Sequence, residues 1–181
     1  MNLNWFLFLA LPVHFQSIAW IGLGIMIVLN LRWVKDQQKE FLFIILATGW
    51  GFIMELIFIY SSSINYPQTK VLLPPLFMLG LWVNFACTFS FCLKWLLEKP
   101  VLAVVFGTIM GPFAYFSGSR ISVEIDPINT VAGVLVIAVV YLISMIVLPF
   151  FYKTVYKSEK NYVPAWKIYR ILQEIWLSQD F

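Results

Sequence analysis

The sequence predicts an all-α protein, a polytopic bundle of transmembrane helices followed by a C-terminal amphipathic surface helix. Three observations carry this reading. Of the 181 residues, 61% are hydrophobic and only 12% charged, with a mean hydropathy of +0.86. A water-soluble domain carries about 25% charged residues, so this chain cannot cover a surface that faces water. Several stretches also reach the roughly 20 apolar residues that a helix needs to cross the hydrocarbon core. Finally, eight Trp and eight Tyr suit a chain that repeatedly meets membrane–water interfaces.

The N-terminal apolar run, 3–34, is long for one span and short for two, and Pro12, His14, Gln16 and Ser17 interrupt it. One full span at 13–33, preceded by a half-helix or an interfacial segment, gives five spans in all. A tight N-terminal hairpin, giving six, is the alternative. The first residues lack the positive n-region of a cleavable signal. Further spans follow at 41–63, 75–97, 101–119 and 128–152, the last free of charge. Pro74, Pro75 and Pro100 stand at the start of their spans, where a missing amide donor costs least. The domain reading is therefore 1–152 for the transmembrane bundle and 153–181 for a tail. Within the tail, Lys167, Arg170, Glu174 and Ser178 fall on one helical face, while Ala165, Ile168, Leu172 and Ile175 fall on the other. That pattern predicts a membrane-surface anchor built on Trp166, Lys167, Arg170 and Trp176, or else a docking helix for a partner.

Charge placement predicts orientation. With five spans, Arg32, Lys35, Lys39, Lys94, Lys99 and the basic residues from Lys153 onward share one side. That side then holds ten of the twelve Lys and Arg. The positive-inside rule assigns it to the cytoplasm, together with the C-terminus, in a membrane of the bacterial inner type. The net charge of +3 reads as a topology signal and as contact with anionic lipid, so membrane lipids are the expected partners and nucleic acid is not.

Little in the sequence supports metal or cofactor chemistry. There is one His and two Cys, too few for a protein-only zinc site. Cys87 and Cys92, five apart on one expected helix, point about 140° from each other and do not bridge. No phosphate-binding glycine loop, dinucleotide fingerprint, zinc-protease motif or nucleophile elbow is present, and no cofactor is expected.

Glu55, in WGFIMELIFIY, is the leading candidate for chemistry. It falls near the middle of an expected span, where even an Asp costs roughly 2.5–3.5 kcal/mol to insert. It must face a cavity, pair with another group or stay protonated. One reading makes it an acid/base or headgroup-binding carboxylate; the other makes it a hydrogen-bonding link between helices. Asn84, Cys87, Thr88, Phe91, Lys94 and Trp95 recur at spacings of three and four on the next span, which offers Asn84 and Thr88 as partners for Glu55. Thr88, Tyr115 and Trp95 are candidate substrate-binding residues. Gly107, Gly111, Ala114 and Gly118 form a small-residue stripe of the kind that lets helix backbones approach closely in lipid. A lone His14 with Gln16 reads as an interhelical or interfacial hydrogen bonder. The 119–127 segment, with Arg120, Glu124 and Asp126, reads as a solvated turn.

Pro75, Leu81, Trp82, Phe85, Ala86, Trp95 and Leu96, followed by Gly111, Pro112, Ala114, Tyr115 and Gly118, resemble the pattern of an uncharacterised family of small bacterial inner-membrane proteins. This is the domain-of-unknown-function 2878 family. Glu55 stands where that family tends to show Asp. The resemblance covers about 100 residues and leaves out the tail. It implies no activity of its own, but members tend to be encoded beside enzymes that modify membrane fatty acids. A lipid-modification context is therefore implied by association only.

Three function classes remain. The first is an accessory or scaffolding subunit for a lipid-modifying enzyme, which would be its protein partner. The second is an integral-membrane enzyme acting on lipid, with Glu55 as acid/base and Asn84 orienting the substrate. The third is a small lipid or proton-coupled transporter.

Overall fold

A computed structural model describes residues 3–10, 16–67, 72–89, 92–97, 99–122, 125–126 and 131–156. Every regular element among them is helical: α1 (Leu3–Ala10), α2 (Gln16–Trp33), α3 (Gln37–Tyr60), α4 (Leu76–Phe89), α5 (Lys94–Leu97), α6 (Pro100–Ile121) and α7 (Val131–Tyr156). Four of these, α2, α3, α6 and α7, are long and apolar enough to cross a membrane. The expected tail helix and His14 lie outside the described residues.

The surface is apolar in the way lipid requires. Val101, Val105, Ile109 and Phe113 on α6, and Leu135, Val139, Leu142 and Ile146 on α7, are all exposed. They recur at helical spacing, so each helix turns a continuous hydrocarbon stripe outward. Such an area would drive association in water and carries no penalty in a bilayer.

The helices are delimited by local chemistry. Asp36 caps α3, its carboxylate accepting from the Lys39 N–H at 3.2 Å and pairing with Lys39 Nζ at 2.9 Å. These bonds from Lys39 hold the Asp36 carboxyl below its ordinary range. At its other end α3 closes with Ser63 N–H to Phe58 O (2.9 Å) and Ser62 N–H to Ile59 O (3.0 Å). That pair of bonds is a Schellman closure, with Ser62 in the left-handed region at φ 53°. It folds the following segment back over α3.

One span differs from expectation. Instead of a single helix over 75–97, the described residues show a 14-residue α4 and a separate four-residue α5. The Cys92 and Leu93 N–H groups both return to the Thr88 carbonyl, at 2.9 and 3.1 Å. At 1.5 Å per residue α4 is about 21 Å long, short of the roughly 30 Å hydrocarbon core.

α3 is central and packs against α4 and α7, while α6 packs along α7. A Cβ on Gly107 would fall 2.1 Å from Met145 Cγ, and one on Gly111 would fall 2.3 Å from Tyr141 Cγ. These contacts set the antiparallel register of α6 and α7. Trp50 Nε1 donates to Ser144 Oγ at 2.9 Å, and Ser144 donates to Val140 O at 2.7 Å, tying α3 to α7. The 119–127 segment is not simply a solvated turn: Ser122 and Ile125 are buried. Asp126 N–H donates to Asn65 O (3.0 Å) and Asn65 Nδ2 donates to Asp126 Oδ2 (2.7 Å), joining the two loops at this end of the bundle.

Candidate functional site: a buried carboxylate beside an apolar groove

Glu55 is fully buried. It lies five residues from the end of α3, about one and a half turns, so it stands nearer one membrane face than the sequence suggests. Its partners also differ from the expected Asn84 and Thr88. Tyr66 Oη donates to Oε2 at 2.6 Å, Trp82 Nε1 donates to Oε1 at 3.0 Å, and Tyr115 Oη donates to Oε1 as well. Three donors from three different segments converge on one acceptor group, which answers the cost of placing a carboxylate there.

Each donor is positioned for a reason. Gly51 precedes Glu55 by one helical turn, and a Cβ on it would lie 2.1 Å from Trp82 Cδ2. The bare glycine lets the indole lie flat across α3 with its N–H over Glu55. Tyr66 arrives because the Schellman closure reverses the chain after Tyr60. Burial, and then the neighbouring Glu55 charge, push the Tyr66 phenol well above its ordinary value, so it is a permanent donor near neutral pH. Tyr115 comes from α6 and meets Phe58 edge to face at 5.4 Å. Tyr141 stacks on Phe58 at an interplanar angle of 7° and on Trp82 at 25°, closing the aromatic box.

Beside this box a cavity of about 400 Å³ separates α4 from α6. Met78, Leu81, Phe85 and Phe89 form one wall and Phe106, Met110 and Ala114 the other, with Tyr141 and Met145 as the floor. Leu9 and Ile125 bound one end, and Leu93 and Leu96 the other. The volume falls within the roughly 300–1,000 Å³ typical of small-molecule sites. Trp82 and Tyr115 belong to both features: they line the groove and hold Glu55 behind it.

The residues singled out from sequence therefore fall in different places. Asn84 and Thr88 line the groove, and the Thr88 hydroxyl donates to Phe85 O at 2.6 Å. Cys87, expected on the same face, is buried instead in a cluster with Phe43 and Leu148, where its carbonyl accepts from Asn30 Nδ2 at 2.8 Å. Trp95 is 49% exposed and does not line the groove. Gly107, Gly111, Ala114 and Gly118 all border the groove, the first two also meeting α7 closely. A Cβ on Gly118 would meet Ile125 and Leu9 in ordinary contact, at 3.7 Å. Cys87 and Cys92 are free thiols.

Sequence reasoning missed Tyr66 and Trp82 as partners of Glu55, and it missed Glu40 altogether. Glu40 is fully buried in the first turn of α3 and accepts from the Tyr156 hydroxyl on α7. Its position just outside the expected span 41–63 gave no sign of burial. Among the described residues no group of three His, Cys, Asp or Glu could hold a metal ion.

A lipid-facing exterior, four long apolar helices and a groove between α4 and α6 define a multi-pass helical membrane protein. The chain belongs to the family described as Protein of unknown function (DUF2878), whose profile matches residues 1–148. No curated protein matches it, and no solved structure does.

Proposed function

We propose that this protein is a non-catalytic membrane subunit that holds an acyl chain of a membrane lipid in the α4–α6 groove and serves a fatty-acyl-modifying enzyme. The observation that carries the reading is the groove itself, an apolar cavity of about 400 Å³ inside a lipid-embedded bundle. Glu55 supports a holding role over a reacting one. Its two oxygens accept from three protein donors, and it stands behind Trp82 and Tyr115 instead of lining the groove. The basic ends of α2, α5 and α7 support the bacterial inner membrane as the location, with that face and the C-terminus cytoplasmic. Reporter fusions at the C-terminus test the orientation.

Gentle extraction from the native host, with mass spectrometry of co-purifying proteins and lipids, tests the function. A stoichiometric enzyme partner together with retained lipid is the expected result. Ala114→Trp, which fills the groove from an exposed wall position, should lose the lipid and keep the fold. Retention of the same lipid by that variant would overturn the groove assignment.

The second reading, an integral-membrane enzyme with Glu55 as acid/base, draws on the fact that Trp82 and Tyr115 each touch both the groove and Glu55. It requires that Glu55→Gln abolish a lipid product in cells while the protein still folds. Normal product in that variant would remove the reading.

A further inference from the structure

The groove has two unlike ends. At one end Leu9, Gly118 and Ile125 close it beneath the joined loops. At the other, Leu93 and Leu96 line its mouth, and the same short segment carries Lys94 and Lys99, both exposed. The register set by Gly107 opposite Met145 and Gly111 opposite Tyr141 continues along the antiparallel pair. Four residues on, Ala103 lies level with Pro149, and after another four Lys99 lies level with Lys153. Lys153 is exposed as well. Three lysines thus stand toward the open mouth, while Arg120 lies at the closed end; the acidic residue described at the lysine end, Glu40, is buried against the Tyr156 hydroxyl one turn beyond Lys153, and leaves the three lysines in excess. Counted against Glu98, which lies outside the described residues, the cluster is still net positive.

Between these ends the lining on α6 runs from Phe106 to Gly118, about 18 Å at 1.5 Å per residue. That exceeds one leaflet of a hydrocarbon core about 30 Å thick, a fit for a long chain and not for a compact solute. Phe106 and Met110 line the groove and are also 46% and 50% exposed, so its long side opens to the bilayer. A second chain can therefore lie outside, against the lipid-facing stripe of α6.

We infer that the occupant is an anionic glycerophospholipid, one chain threaded between α4 and α6 and its phosphate at Lys94, Lys99 and Lys153. This rests on the groove-holding function proposed above and adds the headgroup charge and the direction of entry. Asn84 and Thr88, one turn apart on the α4 wall, are the polar positions that the threaded chain passes.

The test uses the full-length protein in mild detergent, offered equimolar phosphatidylglycerol and phosphatidylethanolamine with identical chains, and bound lipid counted by native mass spectrometry. A lysine near an anionic headgroup is worth about a fivefold preference. The wild type should favour phosphatidylglycerol at least fivefold, and a Lys94→Gln, Lys99→Gln, Lys153→Gln variant should fall to near parity. The single Lys99→Gln protein, expected to lose part of the preference, serves if the triple variant misfolds. Equal binding of both lipids by the wild type, or an unchanged preference in the variants, would overturn the headgroup assignment and leave the groove reading standing. Failure of the wild type to hold either lipid would overturn both.

Discussion

Trp82 lies so closely over Gly51 that a methyl group on the glycine would overlap the indole, its Cβ 2.1 Å from Cδ2. This contact carries the indole N–H to Glu55 one turn further along α3. Gly51→Ala should displace the ring and break that hydrogen bond, and overpacking of this kind costs about 1–3 kcal/mol. A methyl group added to Gly49, two residues away, would meet nothing within 4 Å, so Gly49→Ala should be neutral or stabilising by up to about 1 kcal/mol. Thermal unfolding of the two variants in one detergent checks the contrast. Equal midpoints would mean that Trp82 does not occupy this seat.

Glu55 should matter to stability in a graded way. Glu55→Gln offers one acceptor oxygen in place of two and adds a donor, so at least one of its three partners loses its bond. The expected cost is about 1–3 kcal/mol. Glu55→Ala leaves Tyr66, Trp82 and Tyr115 all without their acceptor and opens a void, so it should cost more than the Gln variant. The measurement is the order of apparent melting temperatures, wild type above Gln above Ala.

The Tyr66 phenol gives this cluster a pH signature. Its folded pKa is raised above the ordinary value of 10.0, so its contribution is fully present below the unfolded value. The contribution is lost as pH rises from there through the folded pKa. Wild-type stability should therefore fall above about pH 10 more steeply than that of Tyr66→Phe, which has no such proton to release. Parallel stability profiles for the two proteins would remove Tyr66 from the cluster.

How much of this was legible in the sequence depends on the range of the interaction. The apolar stretches marked α2, α3, α6 and α7 because lipid sets a length and a polarity that any window can count. The division of the expected 75–97 span into α4 and α5 was not legible, since the residues through Leu97 stay largely apolar and include no Gly or Pro after Phe89; apolar counting does not register helix continuity. Glu55 stood out as a charge in an apolar run. Its partners did not, because Tyr66 sits in a loop 11 residues on and Tyr115 is 60 residues away, contacts that only the tertiary fold creates. Asn84 and Thr88 looked like its partners because they share a helical face, but that face turns toward the groove.

The closure at Ser62 offers a local test of how the fold brings Tyr66 home. A side chain at φ 53° is strained in a way that glycine is not. Ser62→Gly should stabilise the protein by about 0.5–1 kcal/mol, provided the Ser63 to Phe58 and Ser62 to Ile59 bonds are kept. A lower melting temperature in this variant would mean that the serine side chain contributes more than its backbone strain costs.

The second buried carboxylate lies at the opposite end of α3 and closes the bundle there. Glu40 sits in the first helical turn and accepts from Tyr156 in the last turn of α7. The ring of Tyr156 stacks on Tyr152 at 4.5 Å, and Tyr152 meets Phe43 of α3 edge to face at 5.4 Å. Aromatic packing thus holds the tyrosine ring where its hydroxyl meets Glu40, and the hydrogen bond should be worth about 0.5–1.5 kcal/mol. Tyr156→Phe keeps the stacking and removes only the hydroxyl, so it isolates that bond. Combined with Glu40→Gln in a double-mutant cycle, it should show a coupling of at least about 0.5 kcal/mol. Strict additivity would mean that the Tyr156 hydroxyl and the Glu40 side chain do not couple α3 to α7.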